Sequence, residues 1–356
     1  MRWLALLAAL LAAPAMAADK IVAMAGIIDD IDPRVLDDFT IATGIAVAYD
    51  GFDTPAALET RVQAGKSGFD LVMLSGPALQ RQSGMLQKLD KSKLPNLAGL
   101  WPAVAGWQGA SDPGLTLGAS YQWYATGLAF DVARARERLG EAGVASWDVL
   151  FRPEILRKFN DCGVEMLDSA EDLMPVALAN LKLAPGVATP DSVRRAMEHL
   201  GRLRPQVARY SVSGHVAALV NGDACLAVSW TGEALQARNR ARASKGGPEI
   251  GFAIPREGAP ANLEIMAIPR DASHAAAALM LIDYLLRPDI AARNSTRTGL
   301  ASAVLAAKAL LAPDIAGDAA VYPDDALMKR LYAVPSPDAA MQKLMAREWL
   351  RAKTGK

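Results

Sequence analysis

Residues Asn221 to Arg240 read NGDACLAVSWTGEALQARNR, a turn, a strand and a helix in twenty residues. Asn221-Gly222-Asp223 is a turn signal, and Ala224 to Trp230 is an apolar run of strand length and composition. Gly232 breaks the run, and Glu233 opens a helix that offers Ala234, Leu235 and Ala237 for burial. A buried strand that carries Trp230 and Glu233 to its exit turn sets an aromatic face beside a carboxylate. That pairing suits a cation, which the ring attracts through its quadrupole and the carboxylate through its charge. A core tryptophan next to a solvated first-turn glutamate is the plainer reading of the same residues.

The strand-then-helix pattern recurs at the N-terminal side. Lys20 to Ala25 reads as a strand ending at Gly26, and Asp32 with Pro33 starts a helix that buries Val35, Leu36 and Phe39 before Gly44 ends it. Ile45 to Tyr49 is the next strand, Asp53 or Thr54 caps a helix over Pro55 to Ala64, and Phe69 to Leu74 is a third strand. Alternation of this kind predicts a parallel α/β sheet, with ligands gathering at the strands' carboxyl ends. Asp29, Asp30 and Ser75 all stand at such ends, although each alone also reads as a turn or cap residue.

Tyr121 to Phe130 is an aromatic-rich extended stretch placed to cross between domains. Trp123 and Tyr124 point to opposite faces of it, so at most one meets a ligand. A second α/β domain follows to about Ile250. In it Leu167 to Asp172 leaves a strand and starts a helix carrying three acids, Asp168, Glu171 and Asp172. Phe252 to Pro255 returns toward the first domain, and Asn262 to Ile268 is a strand with Glu264 inside an apolar run, where a carboxylate is costly unless paired or at a cleft. Ser273 is expected to cap a buried helix over Ala275 to Leu286, Pro288 to stop it, and the tail from Asp325 to be helical. Two crossings and a return fit two lobes around a cleft. The expected division is 18–125 with about 251–305 for lobe 1, and 126–250 with about 306–356 for lobe 2.

With 356 residues, 52% apolar and 21% charged, the chain is long enough for two packed domains and too apolar for disorder. Its 38 basic and 38 acidic side chains form no basic block, which excludes a nucleic-acid surface. Residues 1–17 read as a secretory signal peptide: Arg2, an apolar run from Trp3 to Ala13, and Ala15-Met16-Ala17 before the cut, with export to the periplasm as the consequence. In an oxidising compartment Cys162 and Cys225 are most simply a disulfide, two buried thiols being the alternative. Ala64-Gly65-Lys66-Ser67 imitates the end of a phosphate loop, but Thr60 stands where the leading glycine belongs and the segment ends a helix. His199, His215 and His274 share no ligand spacing, so neither a metal nor a cofactor is expected. No nucleophile elbow occurs, and paired acids acting on a sugar are the one enzyme reading retained.

The sequence resembles the periplasmic polyamine-binding proteins of bacterial ABC importers, most closely the putrescine-binding type, from about Ile21 to Lys356. The resemblance is carried by Thr43-Gly44-Ile45, Gly68-Phe69-Asp70-Leu71-Val72, Leu89 to Pro95, Trp147-Asp148 and Asn221-Gly222-Asp223. It continues through Trp230 with Gly232-Glu233, Gln236-Ala237 and Asn239-Arg240, then Ile254-Pro255 with Glu257-Gly258, Tyr284 to Asp289, and Lys353 with Gly355-Lys356. It implies a two-lobed periplasmic-binding-protein clamshell of type II, each lobe a mainly parallel sheet flanked by helices. It further implies a Cys162–Cys225 disulfide, a polyamine-like cation held between the lobes, an ABC permease of the inner membrane as partner, and a monomer.

Carried over residue by residue, the resemblance makes Asp29 the first-lobe aspartate, Ser75 a hydroxyl contact, Trp230 the stacking ring and Glu171 the second-lobe acid. Glu233 and Glu264 stand where the family usually has aspartates. Asp30 takes an aromatic position and joins them as a candidate ligand. Ile27, Asn262 and Leu300 also replace rings, and Ile28 replaces a serine. The expected site is therefore acidic and wetter than an aromatic box. It suits a polyamine with extra nitrogens, or a guanidinium or amino-acid-like amine, and service as a ligand sensor is the alternative use.

Overall fold

The computed structural model describes residues 21–140 and 143–355. The expected signal peptide, with its cut after Ala17, lies outside the described residues. Ten strands are present: β1 (Ile21–Ile27), β2 (Ala46–Phe52), β3 (Leu71–Ser75), β4 (Gly118–Asp131), β5 (Val164–Met166), β6 (Arg209–Tyr210), β7 (Leu226–Trp230), β8 (Ile250–Ala253), β9 (Ala261–Ala267) and β10 (Ala301–Ser302). They run β2-β1-β3-β9-β4-β7-β5-β6, with β8 and β10 also paired to β4.

β4 serves both lobes. From Gly118 to Ala125 it pairs antiparallel with β9, and from Thr126 to Phe130 with β7. Its end, Leu128 to Asp131, also takes β8. Each lobe is thus a mixed sheet: β2-β1-β3 and β7-β5-β6 are parallel, while the pairings through β9 and β4 are antiparallel. Helices cover the faces, and the α/β two-lobed architecture follows.

Local chemistry sets the element ends. Asp32 accepts from the Arg34 N–H ahead of Pro33, and Gly44 closes that helix at φ 71°. Thr54, not Asp53, caps the helix Pro55–Gln63. Ser273 does not cap the helix Ala275–Leu285. His274 holds the cap position, and its N–H donates to Asp70 Oδ1 at 2.7 Å, so a distant carboxylate supplies the acceptor. Pro288 ends nothing alone: it is the first residue of a further helix, Pro288–Thr298, where its missing N–H costs no hydrogen bond. The tail is only partly helical, as Asp325–Met328 and Ala339–Thr354, because Pro335 and Pro337 fall between them.

Cys162 and Cys225 are joined, tying the turn before β5 to the residue before β7 across 63 positions. A loop of that length gives an entropic stabilisation of about 2–4 kcal/mol. Urea unfolding with and without a reductant is expected to show a loss of that size, and a Cys162→Ala/Cys225→Ala double variant should lose the reductant dependence.

Candidate functional site

A cavity of about 510 Å³ lies between the two halves of the sheet, lined among others by Ser75, Tyr124, Glu171, Asp172, Trp230 and Asn262. Alternation along β4 puts Trp123 in the core, 1% exposed, and turns Tyr124 to the cavity. Burial pushes the Tyr124 hydroxyl well above its usual range, and the charges of Glu264, Asp172, Asp30 and Glu233 add to the effect. Of these four, Asp172 lines the cavity together with Tyr124.

Glu264 sits on β9 directly opposite Ser75 of β3 and Gln122 of β4. Asp30, which follows β1, is close enough that the two carboxyls shift one another's titration. Burial pushes the Asp30 carboxyl up to about 7; its interaction with Glu264 pulls the other way and the charge of Asp29 reinforces the rise. Burial, and then Asp30 itself, raises Glu264 well above the carboxylate range.

Asp172 stands in the first turn of the helix Ala170–Asn180 and accepts the Trp230 indole N–H at 2.8 Å. That bond fixes the plane of the ring. Burial raises the Asp172 carboxyl as well. Glu233, in the first turn of the helix Thr231–Ala243, lies 2.8 Å from Nε2 of the fully buried His215, which also meets the Ser229 hydroxyl at 2.9 Å.

The remaining two candidates lie apart from this group. Asp29 adopts φ 67°, a left-handed conformation that turns the chain sharply after β1. Its carboxylate is 73% exposed and 3.4 Å from Arg297. Glu171 is at the cavity but already holds a cation: Arg81 grips Glu59 at 2.6 and 2.9 Å and extends its third nitrogen to Glu171 at 2.8 Å and to the Ser336 hydroxyl at 3.1 Å. Ser75 accepts from the Ala78 N–H, which leaves its own hydroxyl proton for the cavity.

The sequence pointed to Glu171 and not to its neighbour Asp172, and both line the cavity. Both fit a helix start, and only the packing of Trp230 separates them. Arg81 and His215 carried no signal, since their partners are distant in the chain. Among the described residues no group of His, Cys, Asp and Glu could hold a metal ion.

Fold and cleft together define a two-lobed solute-binding protein. Residues 34–324 match the family described as bacterial extracellular solute-binding protein, and the chain belongs to that family. It is 36% identical to the putrescine-binding periplasmic protein SpuD of Pseudomonas aeruginosa (strain UCBPP-PA14), over 98% of this chain and 96% of that one. It is equally 36% identical to the putrescine-binding periplasmic protein PotF of Escherichia coli (strain K12), over 92% of this chain and 90% of that one. Among solved structures it is similar to the spermidine/putrescine substrate-binding protein PotD of Streptococcus pneumoniae, with TM-score 0.82 and 23% identity over 94% of this chain and 99% of that one. The first two relatives are named as periplasmic binding proteins, not as enzymes.

The raised carboxyls give a stability prediction with a definite sign. Asp30 binds its proton more tightly folded than unfolded, so the stability it contributes is complete below about pH 4 and is lost as pH rises through about 7. Denaturant melts of the ligand-free protein from pH 4 to 8 should show this decline, and Asp30→Asn should flatten it.

Proposed function

We propose that the chain is a periplasmic receptor that captures a polyamine-like cation between its lobes and delivers it to an ABC permease of the inner membrane. The observation that carries this reading is the cavity that sets Asp172 and Glu171 beside Tyr124 and Trp230, with Trp230 held by Asp172. Carboxylates facing an aromatic ring across a cleft attract a cation. A polyamine supplies several positive charges on one flexible chain, and Trp230, held by Asp172, supplies a flat face for its methylenes and cation–π attraction.

In this reading Asp30, Glu264 and Ser75 form the first-lobe end of the site, and Asp172, Trp230 and Glu233 the second-lobe end. Asp29 and Glu171 act at the rim, where Arg297 and Arg81 share their charge with the ligand. Asn262 donates its amide to the Thr126 hydroxyl at 3.0 Å, so its carbonyl oxygen is the free end and accepts from a nitrogen within the ligand. A spermidine-like or guanidinium-bearing amine fits that acceptor better than a plain diamine.

In this reading the lobes divide at Ala125/Thr126, where β4 changes partners from β9 to β7. We place the return to the first lobe between β8, which pairs with the end of β4, and β9. The remaining parts of the proposal are removal of residues 1–17 on export, action as a monomer, and the absence of catalysis.

Titration calorimetry of protein stripped of ligand by unfolding and refolding tests the function. Putrescine, cadaverine, spermidine, spermine, agmatine and basic amino acids form the panel. At least one polyamine should bind, and Trp230→Ala should weaken it by about tenfold or more. Binding confined to neutral or anionic compounds would overturn the reading. X-ray scattering should show a smaller radius of gyration with saturating ligand; an unchanged radius would exclude closure of the lobes.

A further inference from the structure

We infer, on the basis of the proposed function, that Arg81 is a specificity-determining residue: an internal cation that fills one acidic corner of the cleft and so limits how many amine groups a ligand can bring. Among the described residues the cavity is lined by four acids, Glu59, Asp168, Glu171 and Asp172, and Arg81 is its one basic side chain. Most of that negative charge is answered from within the chain. Arg81 Nε and Nη2 hold the two oxygens of Glu59 at 2.6 and 2.9 Å, and Nη1 reaches Glu171 Oε1 at 2.8 Å. One guanidinium thus takes three of the four carboxylate oxygens at that corner. Asp168 is taken by Lys353 at 2.7 and 2.8 Å and by the Trp349 indole N–H at 2.9 Å. Asp172 differs, because it is held through the neutral N–H of Trp230.

Arg81 is fixed where it stands. Its Nη1 also donates to the Ser336 hydroxyl at 3.1 Å. Ser336 is in turn tied by its backbone N–H to Gln80 Oε1 at 2.8 Å and by Gln342 Nε2 at 3.0 Å. The planar fork is therefore seated on Glu59 at one edge and on Glu171 and Ser336 at the other, a geometry that a flexible ammonium cannot reproduce. Arg81 and Glu59 are 23% and 17% exposed, so water screens the pair only in part. Swinging the guanidinium out would strand the Glu59 carboxylate without its partner.

Size does not make the selection. At about 30 Å³ per heavy atom, spermidine fills about 300 Å³ and spermine about 420 Å³, and a cavity of about 510 Å³ holds either. Pro55, Pro77, Pro185 and Pro335 line it too and offer apolar wall for methylenes. Charge makes the selection. An ammonium directed to the Glu59–Glu171 corner meets a fixed positive charge in the place it would occupy. A diamine or triamine can leave that corner to Arg81. A tetraamine brings one more charge than the remaining acids receive, and its extra amine is held without a counter-charge.

Titration calorimetry of the ligand-stripped protein with putrescine, spermidine and spermine tests this. The wild-type protein should bind spermine no more tightly than spermidine, although spermine carries the larger charge. Arg81→Met, which keeps the length and removes the charge, should improve spermine about tenfold or more relative to putrescine. Arg81→Lys should hold the wild-type ratio, and Arg81→Met combined with Glu171→Gln should lose the gain. The ratio separates specificity from a merely structural role, because loss of structure weakens all three ligands alike. Melting curves report folding, and Arg81→Gln gives the same comparison if Arg81→Met does not fold. A wild-type preference for spermine over spermidine, or an unchanged ratio in a folded variant that lacks the charge, would overturn the role of Arg81 and leave the proposed function intact. Absence of binding by any amine would overturn the proposed function itself.

Discussion

A single fourteen-residue strand carries backbone hydrogen bonds for both lobes. Gly118 to Asp131 pairs with β9 in its first part and with β7 and β8 in its second. A strand can serve two sheets only if its backbone stays extended while its partners change. That change of partner opens the cavity, because β9 and β7 run to opposite sides of the switch. Tyr124 and Thr126 sit at this point, and Tyr124 faces the cavity that Glu171 and Asp172 also line.

Desolvation governs the chemistry of the cleft. Carboxylates taken out of water must find protons, cations or donors. Here Asp172 takes an indole N–H, Glu233 lies beside His215, Glu171 takes Arg81, and burial raises Asp30 and Glu264 toward their protonated forms. The Arg81 pair also links the helix Gly76–Arg81 of the first lobe to the helix Ala170–Asn180 of the second, so a residue that neutralises charge also spans the cleft.

The positions where the resemblance implies rings are filled differently in this chain. Leu300 packs against Gly232, where even a Cβ would come within 2.7 Å of its methyl carbon. The smaller residue at 300 and the glycine at 232 therefore belong to one contact. Asn262 is held by Thr126, and Asp30 turns inward to Glu264. Asn262 and Asp30 thus bring polar groups to positions where the resemblance implies rings, and Trp230 remains as the aromatic face of the cavity.

The sequence by itself determined most of the strands, the caps at Asp32 and Gly44 and the two-lobed plan. Those depend on neighbours in the chain: the apolar run before Trp230, Asp32 ahead of Pro33, Gly44 in the left-handed conformation. It also brought Asp30, Glu233, Glu264 and Trp230 forward, because strand ends and a charge inside an apolar run are visible locally. Only the tertiary structure decided which acids are desolvated. Asp29 and Asp30 are adjacent, as are Glu171 and Asp172, yet in each pair one faces an arginine near solvent and the other is buried beside the cleft. The partners that separate them, Arg297, Arg81, Glu264 and Trp230, lie 58 or more positions away. No local pattern encodes a contact of that range, because it is set by how two sheets pack around one strand.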